Sequence, residues 1–275
     1  MITSLYNTQI KSVVKLRRPQ ERNRLGKTII EGYRGLRCAI DSGYPVEVIY
    51  FCPALFLGEN EFALIRRAQA AGVRAIEVAE APFRRMASRD RPEGLIAVAR
   101  QRRTSLPARA PRVDGFYGIV EAIQSPGNLG AIFRSADAAR VDAVIVCDPC
   151  TDSYGPEAIR ASVGTAFALQ VWEACTEEAI AWCRAQGIRI VAATPHADTL
   201  YTDVDMRGAL AIALGAEQYG LSAKWLDAAD TRVRIPQFGQ ADSLNVAVAA
   251  TLLFYEVVRQ RGLAPDRLSL SSKRP

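Results

Sequence analysis

Two spacings of apolar residues alternate along the chain. From Gly32 to Asp41 and from Glu61 to Ala71 they recur every three or four positions, the signature of a helix with one buried face. Gly43 and Gly72 follow, placed to end each helix. Short runs at Val46 to Phe51, Val73 to Val78 and Gly94 to Ala99 predict strands, and together these elements make a small α/β unit. From residue 116 the alternation sharpens. Strands are predicted at Phe116 to Val120, Val144 to Cys147, Ile188 to Ala193 and Leu210 to Leu214. Helices are predicted at Leu129 to Ala139, Pro156 to Phe167 and Glu177 to Gln186, the last followed by Gly187. A β-α-β-α order of this kind predicts a mostly parallel sheet covered by helices. The last helix, Leu244 to Gln260, is apolar on nearly every face in its first half and charged from Glu256 to Arg261. A helix without a polar face has to be covered on all sides, which points to a subunit interface.

The stretch from Arg102 to Arg112 breaks both patterns. It is poor in apolar residues, and Pro107 and Pro111 favour an extended backbone, so it reads as a linker. The expected organisation is a basic α/β unit over 1–102, a linker over 103–113, a larger α/β unit over 114–265 and a flexible tail over 266–275. Charge separates the two units. Residues 1–113 hold 21 Lys and Arg against 10 Asp and Glu, a net +11, whereas the remainder holds 14 against 19, a net −5. A basic unit joined to an acidic one implies that the first binds a polyanion and the second does other work.

At 49% hydrophobic and 23% charged residues, the chain has a globular composition. Its longest nearly unbroken apolar stretch, Val246 to Tyr255, is too short to cross a bilayer, and the amino terminus lacks the apolar core of a secretory signal. No membrane partner is expected, and a cytoplasmic location is. Six cysteines do not make a disulfide framework in such a chain. Cys147 and Cys150 form a C-x-x-C pair, but zinc needs two further ligands; Cys175 and Cys183 lack the spacing, and the only histidine is His196. No metal is expected.

Three glycine-containing segments lie at or near strand ends, where parallel α/β sheets bind ligands. In the first, Ser125 to Arg134, Asn128 is placed to cap the next helix, and Arg134 lies off its apolar stripe. The second, Leu214 to Ser222, follows a wholly apolar strand and offers Gly215 for close backbone approach and Glu217 as a carboxylate. It has neither the GK[ST] ending of a phosphate loop nor the G-x-G-x-x-G of a dinucleotide fold, which argues against a nucleotide-dependent oxidoreductase. In the third, Ile235 to Val246, Ser243 is placed to cap the apolar helix, with Asn245 beginning it. Taken singly, each is an ordinary turn or cap.

Taken together and in this order, "NLGAIFRSADAA", "LGAEQYGLS" and "IPQFGQADSLNVAVAATLLFYEVVRQR" resemble the three motifs of the TrmH (SpoU) branch of the SPOUT methyltransferases, over residues 114 to about 262. The stretch "IEGYRGLRCAI" after a basic lead resembles the α/β substrate-binding extension of the same family. The resemblance implies a parallel sheet with a deep trefoil knot, S-adenosylmethionine bound in a bent conformation within it, RNA as substrate, and a homodimer in which both subunits complete each site. It implies cofactor contact by Gly215, Ile235 and Leu244 through the backbone, with Ser243 nearby and Thr194 near the adenosine. Arg134 falls on the family's catalytic arginine, beside Asn128, while Glu217, Ser243 and Asn245 fall on its remaining polar positions. Arg140 replaces a frequent glycine and Ala247 a frequent serine, departures that bear on substrate detail. The reaction implied is methylation of a ribose 2′-hydroxyl, with ribosomal RNA favoured over transfer RNA by the separate basic unit; an RNA-binding or ribosome-assembly protein without turnover is the alternative. No histidine lies in the three segments, and arginine is a strained choice as a base, so Arg134 is read as a stabiliser of the forming alkoxide, with a transient base role as the alternative.

Overall fold

The computed structural model describes residues 1–110 and 112–262; the tail expected at 266–275 lies outside them. The first half comprises helix α1 (Thr8–Lys15), α2 (Pro19–Leu25), strand β1 (Lys27–Glu31), α3 (Tyr33–Asp41), β2 (Val46–Phe51), α4 (Glu61–Ala70), β3 (Arg74–Glu77), α5 (Glu80–Met86) and β4 (Leu95–Arg100). Its sheet runs β1-β4-β2-β3, with β4 antiparallel to both neighbours and β3 parallel to β2. Adjacent residues of a strand face opposite ways, so Ile30 packs with Leu36 and Leu64 while Ile29 packs with Ile10 and Phe83. Helices therefore cover both faces.

The second half comprises β5 (Phe116–Glu121), α6 (Pro126–Ala138), β6 (Ala143–Cys147), α7 (Pro156–Ala161), β7 (Val171–Ala174), α8 (Thr176–Ala185), β8 (Arg189–Ala193), β9 (Leu210–Leu214), α9 (Ala223–Ala228), β10 (Thr231–Val233) and α10 (Val246–Gln260). Its six strands are all parallel, in the order β10-β8-β9-β5-β6-β7. Phe116 and Val120 meet α6 and α10 on one face; Tyr117 and Ile119 meet α8 and α9 on the other. Burial on both faces explains why these strands read as continuous apolar runs. The chain winds one way from β5 to β7 and then returns to the other side of β5, so the direction reverses between β5 and β9. Ligands of open parallel sheets bind at such a reversal, beyond the carboxyl ends of the strands.

The halves are joined by polar and apolar contacts. The Arg22 guanidinium, 3% exposed within its residue, donates to Asp152 at 3.0 and 2.7 Å and to the carbonyls of Leu16 and Arg17. Thr28 donates to the Tyr154 carbonyl at 2.6 Å, and the Tyr44 and Phe167 rings pack at a tilt of 56° with their centres 4.5 Å apart. Residues 104–110 run against the second half. Thr104 bridges to Trp172, Trp182 donates to the Pro107 carbonyl at 2.7 Å, and Ala110 donates to the Gln186 side chain at 2.9 Å.

Two expectations need correction. The stretch from Pro156 to Phe167 is not one helix: α7 stops at Ala161, Val163 and Gly164 take positive φ of 57° and 88°, and a 3₁₀ turn follows. A side chain at Gly164 would meet the Cα of Gly35 at 2.8 Å, so this break is where the chain turns against the first half. α10 starts at Val246 rather than Leu244. In the single chain Val248, Leu252 and Tyr255 are 48, 39 and 48% exposed, which is the face for which a subunit interface is expected. No described helix is long and apolar enough to cross a membrane.

Candidate active site

The carboxyl ends of four neighbouring strands lie level. Val233 stands beside Ala193, Ala192 beside Ala213, and Leu214 beside Val120. The residues that follow these ends therefore form a row across the sheet: Ile235 after β10, Thr194 after β8, Gly215 after β9, and the turn into α6 after β5. The Thr194 N–H donates to the Val233 carbonyl at 2.9 Å, and its hydroxyl accepts from the His196 N–H at 3.4 Å. Three of the expected cofactor contacts are thus brought together by strand register.

Gly215 has a second role. A Cβ there would lie 2.0 Å from the carbonyl carbon of Gly220, because the chain folds back and the Gly220 N–H donates to the Ala216 carbonyl at 2.8 Å. The tight turn presents Glu217 at its tip, fully outside the sheet.

The polar residues of the three segments meet in a relay. Asn245 accepts from the Ala247 N–H at 3.0 Å and donates through its amide nitrogen to the Asn128 side-chain oxygen at 3.0 Å; the Asn128 amide nitrogen in turn donates to Glu217. Its direction follows from the backbone. A backbone N–H can only donate, so the Asn245 oxygen faces the helix and its nitrogen faces Asn128. The Asn128 nitrogen is then left for the carboxylate, and both amides are locked. This relay spans 89 and 117 residues of sequence separation. It also reassigns the caps. Ser125, not Asn128, caps α6 by accepting from the Asn128 N–H at 3.3 Å, and Asn245, not Ser243, caps α10.

Arg134 and Ser243 stand outside the relay. Both are exposed, and neither side chain makes a hydrogen bond or ion pair among the described residues. Arg134 lies six residues beyond Asn128 on α6, about 9 Å along the axis. Leu244, 36% exposed, precedes the Asn245 cap.

Glu121 was missed from the sequence. It is 7% exposed at the end of β5, accepts from the Ser222 N–H at 2.7 Å, and lies 3.1 Å from the Thr176 hydroxyl. The Thr176 hydroxyl also lies 2.7 Å from an Asp148 oxygen and accepts from Trp225 at 3.1 Å. Glu121 thereby anchors the exit of the Glu217 turn. Its one visible signal is a carboxylate closing an otherwise apolar strand.

Two of the cysteines, Cys147 and Cys183, are closed off from this chemistry. Cys147 is enclosed in the sheet, and burial raises its thiol far above the usual range; burial pushes Cys183 up to about 12. Among the described residues no three of His, Cys, Asp and Glu gather as a metal site.

Asn245→Asp separates cap from relay. Aspartate caps as well as asparagine, so stability should change by about 0.5 kcal/mol or less in a urea titration. The Asn128 amide must then turn its nitrogen toward residue 245, leaving its oxygen against Glu217. Loss of that bond to a charged group should lower the methyl transfer that the three segments imply by roughly tenfold or more. Wild-type turnover would show that the relay is only a cap.

Residues 116–255 match the SpoU rRNA Methylase family, and residues 7–97 match the MRM3-like substrate binding domain. Over 251 residues the chain is 34% identical to the 23S rRNA (uridine(2479)-2'-O)-methyltransferase of Streptomyces viridochromogenes, an alignment covering 88% of this chain and 85% of that protein. The crystal structure of an RNA 2'-O ribose methyltransferase aligns with a TM-score of 0.82 at 40% identity, over 95% of this chain and 99% of that one. The AdoMet-bound rRNA methyltransferase from Sinorhizobium meliloti aligns at 0.85 with 30% identity, over 96% and 98%.

Proposed function

The chain belongs to the SpoU rRNA methylase family, and on that premise we propose that it transfers the methyl group of S-adenosylmethionine to a ribose 2′-hydroxyl of ribosomal RNA. The observation that carries this reading is the Asn245–Asn128–Glu217 relay, which unites all three segments at the carboxyl ends of the strands. S-Adenosylmethionine supplies an electrophilic methyl group on a sulfonium. The residues present fit it: among the described residues, no backbone group from 235 to 244 bonds to another backbone group, and this stretch runs on from the Ile235–Thr194–Gly215 row. In our reading Gly215, Ile235 and Leu244 hold the cofactor through their backbones, with Thr194 and Ser243 beside it.

A ribose hydroxyl is a poor nucleophile until charge on its oxygen is stabilised. Arg134, with no acidic partner among the described residues, is assigned that task; Asn128 and Asn245 are held rigid to position the ribose, and Glu217 fixes their orientation. The basic first half supplies phosphate contacts. Two further features belong to the reading. The path to α10 is threaded as a deep trefoil knot, which is supported by the way α10 leaves the edge strand β10 yet lies on α6, with Phe254 over Gly118 of β5. The protein acts as a homodimer through the open apolar stripe of α10. Six free cysteines fit a reducing cytoplasm.

The test is to map ribose methylation in large-subunit RNA from cells with and without the gene, then restore it with purified protein and S-adenosylmethionine. One 2′-O-methyl group should disappear and return. Unchanged ribosomal RNA would reject the assignment.

A further inference from the structure

Away from the strand ends, a cleft of about 470 Å³ opens between the two halves, within the range of small-ligand pockets. Tyr33, Arg34, Leu57 and Glu61 line it from the first half, Ile159 and Arg160 from the second. Three acids border it, and two are occupied. Glu31 accepts from the Ser88 N–H at 2.9 and 3.2 Å; Glu93 pairs with Arg89 and accepts from the Tyr33 N–H at 3.4 Å. Glu61 is different. It is 4% exposed; one oxygen accepts from the Gly58 N–H at 3.0 Å, and the other has no partner among the described residues. A buried carboxylate oxygen without a donor is costly, and beside a cleft it calls for a donor from a ligand.

The cleft has the other parts of a nucleotide site. Tyr33 is half-buried with the Arg37 guanidinium 5.8 Å from its ring centre, and Leu57 is 78% exposed at the lip, so a flat base has a wall on which to stack. Arg34 and Arg160 are exposed and make no ion pair among the described residues, leaving one free guanidinium on each side for phosphates. Adenine, cytosine and guanine each offer an exocyclic amine to a lone acceptor. Uracil offers only an N3–H flanked by two carbonyl oxygens, which a carboxylate repels.

We propose that this cleft receives an unpaired nucleotide of the RNA, its amine-bearing base read by Glu61 and its phosphates held by Arg34 and Arg160. The proposal rests on the RNA reading above and adds a recognition site remote from the methyl transfer. It is tested with the full chain, using an unmodified large-subunit RNA transcript as substrate and short single-stranded oligo(A), oligo(C) and oligo(U) as competitors. Glu61→Gln keeps the bond from Gly58 but turns an amide toward the ligand's amine, so KM for the transcript should rise about tenfold. Turnover at saturating RNA, S-adenosylmethionine affinity and thermal midpoint should hold. Oligo(A) and oligo(C) should compete better than oligo(U) with the wild type, and equally with Glu61→Gln. The surface pair Arg34→Glu and Arg160→Glu, which disturbs no core contact, should also raise KM by about tenfold or more and flatten its salt dependence. If the wild type methylates the transcript while both variants keep its KM within about twofold, the cleft is not a nucleotide site and the methyltransferase reading stands. If the wild type neither binds nor methylates the transcript, both fall.

Discussion

Arg134→Ala is expected to lower methyl transfer by roughly 10²–10³-fold, the usual effect of removing one preorganised group that stabilises a developing oxyanion. Affinity for S-adenosylmethionine should stay within about twofold, because the proposed cofactor contacts are backbone groups of the strand-end row and Arg134 lies on another element. Stability should hardly move. Arg134 is exposed, off the buried face formed by Leu129, Ile132, Phe133 and Ala136, and among the described residues engages no partner whose loss would leave a buried group unsatisfied. Few substitutions combine so large a predicted kinetic effect with so small a structural one. The measurement is initial rate with labelled cofactor, alongside calorimetric cofactor binding and a thermal melt. A variant retaining wild-type turnover would remove Arg134 from the chemistry.

Arg134→Lys sharpens the role. Lysine restores the charge but not the planar fork that can hold an alkoxide and a neighbouring phosphate together. It should remain at least about tenfold below wild type. If Arg134 acted as a literal base, lysine, with its lower intrinsic pKa, would be the better substitute and activity would recover as pH rises toward 10. A flat, low profile instead fits electrostatic stabilisation.

The parts of this site legible in the sequence are those written in hydrophobic period and in the three polar segments. Strands β5, β6 and β9 are buried on both faces, so their apolar runs stand out, and the Leu210 to Leu214 boundaries agree at both ends. Elements without such a run escaped. Helix α2 buries only Arg22, which has no hydrophobic signature, and β10 is three residues long at a sheet edge. Caps were misplaced by two to three residues because Ser, Asn and Asp all suit a cap, and the choice is made by distant partners. Asn128 is taken from capping by Glu217 and Asn245. Glu121 went unseen for a related reason: its partners, Ser222 and Thr176, approach only once the sheet has closed.

Leu252→Asp is expected to give a monomer without activity. Val248, Leu252 and Tyr255 follow one another at four and three residues on α10, so they share a face, and Leu244 continues the line before the cap. The opposite face, with Val246, Ala250, Leu253, Phe254 and Val257, is already committed to the core. A single chain therefore offers an apolar stripe with nothing charged within it, ending at Arg259, whose ion pair with the buried Glu256 keeps it occupied. In a two-fold interface this stripe would meet its own copy, so every substitution counts twice. Burying two carboxylates without partners costs about 2–3 kcal/mol each in mutational terms, which weakens dimerisation by roughly 10³–10⁴-fold. The single chain should fold normally, because residue 252 points to solvent when alone. Activity should vanish with the dimer for a local reason. Residues 235–244, proposed to hold the cofactor, lead straight into this helix, so separating the copies frees the cofactor loop on its outer side. Light scattering and methyl transfer, measured together at assay concentration, decide the matter. A Leu252→Asp monomer that still methylates ribosomal RNA would show that one chain suffices for the site.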